Sequence, residues 1–175
     1  MRRHSARAAV AVSVAIAGML VAGLSVPASA TPTASGQDQA ALAAARQSTA
    51  AEHNWDAAMA AGWVDPGLPC FDDPAGGMGN HLLAPWTTLT QTPDPAKPNV
   101  LVFDPVTGKR VAVEWVVLQS AVSGAPTLFG HTFEGEQLPG DGPWIWELHA
   151  YVWNPNPNGM FFDWNPNVNM CPPTP

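Results

Sequence analysis

The stretch that most constrains the fold is NVLVFDPVTGKRVAVEWVVL, residues 99–118. Two runs rich in β-branched residues flank the turn-forming segment 104–109, which is the pattern of a β-hairpin. In the second run both alternating faces are apolar apart from Glu114, and this predicts a strand that is covered on both sides. Because a carboxylate is costly to bury alone, Glu114 needs a cation, a hydrogen-bond donor or a proton.

Upstream of the hairpin the chain favours helix. Residues 38–63 are rich in Ala and contain the further helix-favouring residues Gln, Arg, Glu and Met, with Asp38 as the predicted cap and Gly62 as the predicted stop. A break near Ser48 is expected to divide this segment into two helices. The residues that follow, 64–80, are dense in Pro and Gly and predict a loop.

Downstream, WIWELHAYVW at residues 144–153 predicts a second strong strand. A helical region followed by strands, without strand–helix alternation, predicts an α+β fold with an antiparallel sheet. We expect an N-terminal helix packed on a curved antiparallel β-sheet or small β-barrel, with long Pro-, Gly- and Asn-rich loops. Residues 38–175 are predicted to form this single globular domain.

The second strand has two different faces. Side chains alternate across a strand, so one face of residues 144–153 is entirely apolar and is expected to face the core. The other face carries Glu147 and His149, roughly 7 Å apart along the strand, and then Tyr151 and Trp153. We predict that this face carries a small polar patch bordered by aromatic side chains.

Two histidines and one carboxylate form the sharpest candidate site: His81, which follows the glycine-rich run GGMGN, with Glu114 and His149. Neutral imidazoles with a carboxylate suit zinc, iron, copper or manganese. We therefore hypothesise a pocket for a divalent transition metal or a small ligand. Its edge is predicted to include Glu147, Tyr151, Trp153 and His131, of which Glu147 or His131 could add a ligand. The alternative is structural: hydrogen-bonded histidines, and Glu114 paired with Arg110 or a backbone donor.

The first 30 residues predict export. They combine a positively charged start, a long apolar run and the small-residue pattern Ala28-Ser29-Ala30, which is typical of a signal peptide cleaved after Ala30. Residues 31–37 are predicted to be a linker. We expect a secreted or cell-envelope protein with no stable membrane anchor once the leader is removed; a single membrane anchor is the alternative.

The two cysteines, Cys70 and Cys171, are expected to form one disulfide in an exported protein. Metal ligation by the two thiolates is the alternative, but neither has a second Cys or His at zinc-finger spacing. Closing a loop of roughly 100 residues stabilises the fold by up to about 4.7 kcal/mol in the chain-entropy model.

The charge of the chain excludes some classes of partner. It has 14 acidic and 7 basic residues, and three of the basic residues lie in the predicted leader. So acidic a domain is not expected to bind nucleic acid, which requires Lys and Arg at the phosphates. The 8 Trp and one Tyr support a second hypothesis, a non-catalytic binding module for a glycan or cell-envelope partner that uses exposed aromatic rings.

No sequence motif in the chain identifies a particular reaction. HExxH, GxSxG and a Cys-His nucleophile arrangement are all missing from the sequence. If the protein is an enzyme, the candidate residues indicate metal-assisted chemistry on an unknown substrate.

The elements GGMGNH, VAVEWVV, LFGHTF and ELHAYVWNPNPNGMFFDWNPNV, taken together, resemble a family of small, uncharacterised exported bacterial proteins. That family shows a Gly-Met-Gly-x-His element and a Leu-His-x-aromatic strand before an Asn-Pro-rich tail. The resemblance spans roughly residues 50–171 and implies that His81, Glu114 and His149 belong to the family pattern. It implies no reaction. The chain departs at Asn80 and Leu82, where the family pattern has more aromatic character.

Overall fold

A computed structural model describes residues 35–84 and 89–173. The predicted signal peptide, residues 1–30, lies outside them, as does most of the predicted linker. The first helix, α1, spans Gly36–Ser48, and a short second helix, α2, spans Trp55–Ala60, so the expected break after Ser48 is confirmed.

Each helix starts at a side-chain cap. Ser35 caps α1, and its hydroxyl accepts from the backbone N–H of Asp38 while the Asp38 carboxylate accepts from the backbone N–H of Ser35. The prediction that Asp38 itself is the cap is therefore wrong by three residues, because Asp38 is the reciprocal partner in a capping box. In α2 the cap is Asn54, whose side chain accepts from the N–H of Ala57.

Six strands form one curled antiparallel sheet, a half-barrel, and this confirms the predicted α+β fold on a curved sheet. The strands are β1 Phe71–Asp73, β2 Gly76–Leu83, β3 Val100–Phe103, β4 Arg110–Leu118, β5 Thr127–Leu128, β6 His131–Thr132, β7 Glu134–Gln137 and β8 Trp144–Ala150. Their order in the sheet is β1-β2-β3-β4-β8-β7, and β5 and β6 make a separate two-stranded hairpin.

The two faces of the sheet have different roles. One face packs against the helices through the largest buried cluster, in which Leu42 and Ala45 of α1 meet Trp115 of β4 and Leu148 of β8. The opposite face carries smaller apolar clusters, such as Val100, Val116 and Ile145, together with the polar candidate residues. The hairpin and the two-faced strand are thus neighbours in the interior of the sheet.

The predicted loop at residues 64–80 contains two strands instead. β2 begins within the glycine-rich run because the C-terminal tail lies directly against it: a Cβ added to Gly77 would be 2.4 Å from the carbonyl oxygen of Asn169. At Gly76, which has a positive φ of 146°, it would be 2.4 Å from the Asn165 backbone. Glycine is used here for close approach of backbone to backbone, and not for a turn.

The tail is fastened to the start of the sheet by a disulfide between Cys70 and Cys171, as predicted. Beside it, the backbone N–H of Cys171 donates to the Asp72 carboxylate. Further along, Val168 is buried with Val102 and Tyr151, so the tail covers part of the sheet face that carries the candidate residues.

No helix within residues 35–84 and 89–173 is both long and apolar enough to span a membrane.

Candidate metal centre

The three principal candidate residues come from three strands of one sheet face. Glu114 of β4 is directly opposite His149 of β8 in the antiparallel register. His81 of β2 is paired with Val102 of β3, the strand that separates β2 from β4. Because alternation points all three side chains to the same side, the curled sheet brings them together.

The distances within this trio are short. Nδ1 of His149 lies 3.3 Å from Oε1 of Glu114, and Nε2 of His81 lies 3.8 Å from Oε2 of the same carboxylate. One ligand atom from each of the three residues lies within 4.8 Å of the other two. The two imidazole rings are nearly perpendicular, at an interplanar angle of 86°.

All three side chains are buried with polar atoms that lack hydrogen bonds. His81, Glu114 and His149 are 7, 2 and 1% exposed. Among the described residues, Nδ1 of His81, Oε1 of Glu114 and both ring nitrogens of His149 have no hydrogen-bond partner. Buried polar side chains are normally satisfied, and each exception costs about 1–3 kcal/mol and calls for a physical explanation.

Burial determines the protonation states of His81, Glu114 and His149. It lowers the pKa of His81 to about 4 and, with the nearby His81 as a second cause, that of His149 to about 3. Burial, followed by repulsion from Glu147, raises the pKa of Glu114 well above its usual value. Both imidazoles are therefore neutral at pH 7 and keep a lone pair for a metal ion, and they form no ion pair with Glu114.

More carboxyl groups surround the trio. Glu147 shares hydrogen bonds with Glu114 and Glu136. Asp163, from the tail, places Oδ1 3.8 Å from Nδ1 of His149. Burial is the main cause that raises the pKa of Glu147 to about 7 and that of Asp163 to about 6.

The carboxyl groups line a cavity of about 120 Å³. Its polar lining consists of His81, Glu114, Glu136, Glu147 and Asp163. Its remaining walls are apolar and include Phe71, Leu89, Val100 and Ile145. A cavity of this size is smaller than the roughly 300–1,000 Å³ of drug-sized ligand sites, so it accommodates only ions, water or a very small molecule.

Aromatic rings hold the two histidines. Phe71 meets the His81 ring edge-on, with 5.3 Å between ring centroids, and Tyr151 stacks against His149 at 6.2 Å. The Tyr151 hydroxyl donates to the backbone carbonyl of Asp163 at 2.5 Å. Tyr151 thus positions both His149 and the tail residue beside it, from behind the cavity.

Three of the four predicted edge residues do not line the cavity: Tyr151 stacks on His149 outside the lining, and the other two lie elsewhere. His131 packs on Phe161, with 4.2 Å between ring centroids, and does not line the cavity. Trp153 lies over the guanidinium of Arg110 at 4.3 Å. Strand β8 ends at Ala150, so the alternation that would have carried Trp153 to the polar face does not extend that far.

Sequence analysis missed Glu136 and Asp163. Glu136 lies in the edge strand β7, opposite Ile145, a strand that sequence analysis did not identify. Asp163 lies outside the strands, where no periodicity indicates a face. The one available signal was its position between aromatic residues, in FFDW.

Comparison with protein-family models, curated proteins and solved structures gave no match to this chain.

Proposed function

We propose that this protein binds a divalent transition metal ion through His81, Glu114 and His149. The observation that carries the proposal is the convergence of three buried side chains: each has a nitrogen or oxygen atom without a hydrogen-bond partner, and one ligand atom from each lies within 4.8 Å of the other two. A metal ion would satisfy them together, and its charge would offset the cost of burying Glu114.

The donor set narrows the choice of ion. Two imidazole nitrogens and one carboxylate oxygen suit zinc, iron, copper and manganese better than magnesium or calcium, which prefer oxygen alone. A bound ion of this kind supplies Lewis acidity and can activate a water molecule. Because two of the three proposed ligands line the cavity, there is room beside the ion for water or a small ligand.

We also propose that the protein acts outside the cytoplasm, in the secreted or cell-envelope fraction. The disulfide between Cys70 and Cys171 supports this location, because structural disulfides persist in oxidising compartments.

The alternative function, an aromatic binding module, has less support from the side-chain positions. The single tyrosine of the chain, Tyr151, is 3% exposed and therefore unavailable as a stacking platform. Trp153 is more exposed, but its ring already carries the Arg110 guanidinium.

Elemental analysis of untagged protein tests the proposal. We expect near-stoichiometric metal in the purified protein, or after loading, and loss of that metal in His149→Ala. The matched control is His53→Ala, which removes an exposed histidine remote from the cavity lining. Metal at 100 times its dissociation constant should stabilise the wild type by about 2.7 kcal/mol in chemical unfolding. Substoichiometric metal at every pH, unchanged in His149→Ala, would contradict the proposal.

A further inference from the structure

A second set of possible ligands overlaps the first. Glu147, His149 and Asp163 also place one ligand atom each within 4.8 Å of one another. His149 belongs to both sets, and it is 1% exposed with neither ring nitrogen hydrogen-bonded. The acidic residues therefore do not stand alone: a buried imidazole without a partner lies among them.

The Glu114 carboxylate lies between the two histidines. Its two oxygens face different histidines. Oε1 lies 3.3 Å from Nδ1 of His149, and Oε2 lies 3.8 Å from Nε2 of His81. A carboxylate with one oxygen toward each of two nitrogen donors is arranged to bridge two metal ions. One ring nitrogen binds one ion, so two ions would leave His81 on one side of Glu114 and His149 on the other.

The charge of the cavity points to the same number of ions. Four carboxyl groups line it, from Glu114, Glu136, Glu147 and Asp163. No lysine or arginine appears in that lining among residues 35–84 and 89–173. One divalent cation would leave two of four carboxylate charges uncompensated in an apolar enclosure, whereas two divalent cations would balance all four.

We infer that the cavity is a two-metal site bridged by Glu114, with His81 binding one divalent ion and His149, Glu147 and Asp163 binding the other. This inference rests on the proposed function and refines its ligand set, because it adds a second ion and assigns His149 to that ion together with Glu147 and Asp163. Glu136, hydrogen-bonded to Glu147, completes the charge balance. Paired ions of this kind lie roughly 3.5–4 Å apart.

Manganese titration of the disulfide-intact, chelator-stripped protein tests the inference. Mn²⁺ suits a carboxylate-rich site and reports its neighbours by electron paramagnetic resonance. We expect two Mn²⁺ per wild-type chain in equilibrium dialysis, with a spectrum altered by spin coupling between the ions. In Asp163→Asn we expect one Mn²⁺ per chain and the uncoupled spectrum of an isolated ion. Glu147→Gln provides a second variant of the same ligand set, and near-ultraviolet circular dichroism confirms that each variant is folded.

The matched control is Glu134→Gln, which removes one exposed acidic charge near the site from a residue that does not line the cavity, and it should leave two coupled ions. A single Mn²⁺ in the wild type, unchanged in Asp163→Asn, would overturn the second site and leave the proposed function intact. Binding of no ion by the wild type would overturn both. Two coupled ions in both Asp163→Asn and Glu147→Gln would overturn the ligand assignment.

Discussion

Asp104 and Glu114 are both buried acids in the central hairpin, at 5 and 2% exposure, yet their surroundings are opposite. Asp104 accepts hydrogen bonds from the backbone N–H groups of Val106, Thr107 and Asn169, and from the side chains of Thr107 and Asn169. Oε1 of Glu114 accepts none. Both residues are thus largely shielded from solvent, but Asp104 is surrounded by donors and Glu114 by other acids.

The difference separates an acid that the fold satisfies from the acid of the proposed metal site. Hydrogen bonds from Asn169 and Thr107 lower the pKa of Asp104 despite the opposing effect of burial, so its charge is stabilised within the fold. At Glu114 burial and neighbouring acids act in the same direction and raise the pKa. The fold thus satisfies the first carboxylate, whereas one oxygen of the second has no hydrogen-bond partner.

The largest effect should follow from removing the structural acid. We expect Asp104→Ala to lower the free energy of unfolding by about 2–4 kcal/mol, because several donors lose a charged acceptor and the tail loses its attachment to the hairpin. Urea unfolding at pH 7 measures this loss. The control is Asp65→Ala, where an exposed carboxylate accepts a single hydrogen bond from Gly67. An equal loss in both variants would contradict a structural role for Asp104.

Substitution of Glu114 should have the opposite effect on the stability of the metal-free protein. In metal-free protein at pH 8 we expect Glu114→Gln to raise the free energy of unfolding by about 1–3 kcal/mol, because a neutral amide removes the cost of a buried charge. The amide can also donate to Glu147. The same variant should no longer be stabilised by added metal. Destabilisation of the metal-free variant would indicate that the Glu114 charge is already satisfied within the fold.

The stability of the metal-free protein should decrease as pH rises above neutral and also as pH falls below it. A raised folded-state pKa, as for Glu147 at about 7, gives stability that is lost as pH rises through that value. The lowered pKa values of His81 and His149 give stability that is lost as pH falls below about 6.5. Between pH 6.5 and 8 the loss from Glu114 and Glu147 exceeds the remaining gain from the two histidines, and we expect a net loss of up to about 1 kcal/mol.

Urea unfolding with a chelator present measures this profile. Glu147→Gln should flatten the loss between pH 6.5 and 8, whereas Asp104→Ala should leave its slope unchanged because the lowered pKa of Asp104 matters only in strong acid. A profile that is flat in the wild type would contradict the raised pKa values at the site.

The smallest effect is expected for an exposed acid. Glu134→Gln should change the free energy of unfolding by less than about 0.5 kcal/mol, because the Glu134 side chain is exposed. Thermal unfolding with and without metal measures it. A larger change would show that the net charge of this region, and not burial, governs the comparison between Asp104 and Glu114.

The central sheet was predictable because its signal is local. The β-branched runs on both sides of residues 104–109 and the alternation in β8 depend on neighbours in sequence. The strand at Gly76–Leu83 was not predictable in the same way. Its glycines are required by a tail some 90 residues further along the chain, and composition alone reads them as a loop.

The residues of the candidate site also differ in whether local sequence could predict them. His81, Glu114 and His149 stood out because a polar residue in an apolar strand breaks a regular pattern. Asp163 belongs to an Asn-Pro-rich tail without regular structure, and only the folding of that tail over the sheet brings it near His149. Trp153 failed as an edge residue because β8 ends three residues before it.

The disulfide also determines when the site can be completed. Cys70 precedes Phe71, which packs on His81, and Cys171 ends the tail that supplies Asp163. While the cysteines are reduced, only non-covalent contacts hold that tail over the sheet. We therefore expect the mature affinity for metal to arise after oxidation, so that the ions available in the oxidising compartment, and not those of the cytoplasm, decide what the protein carries.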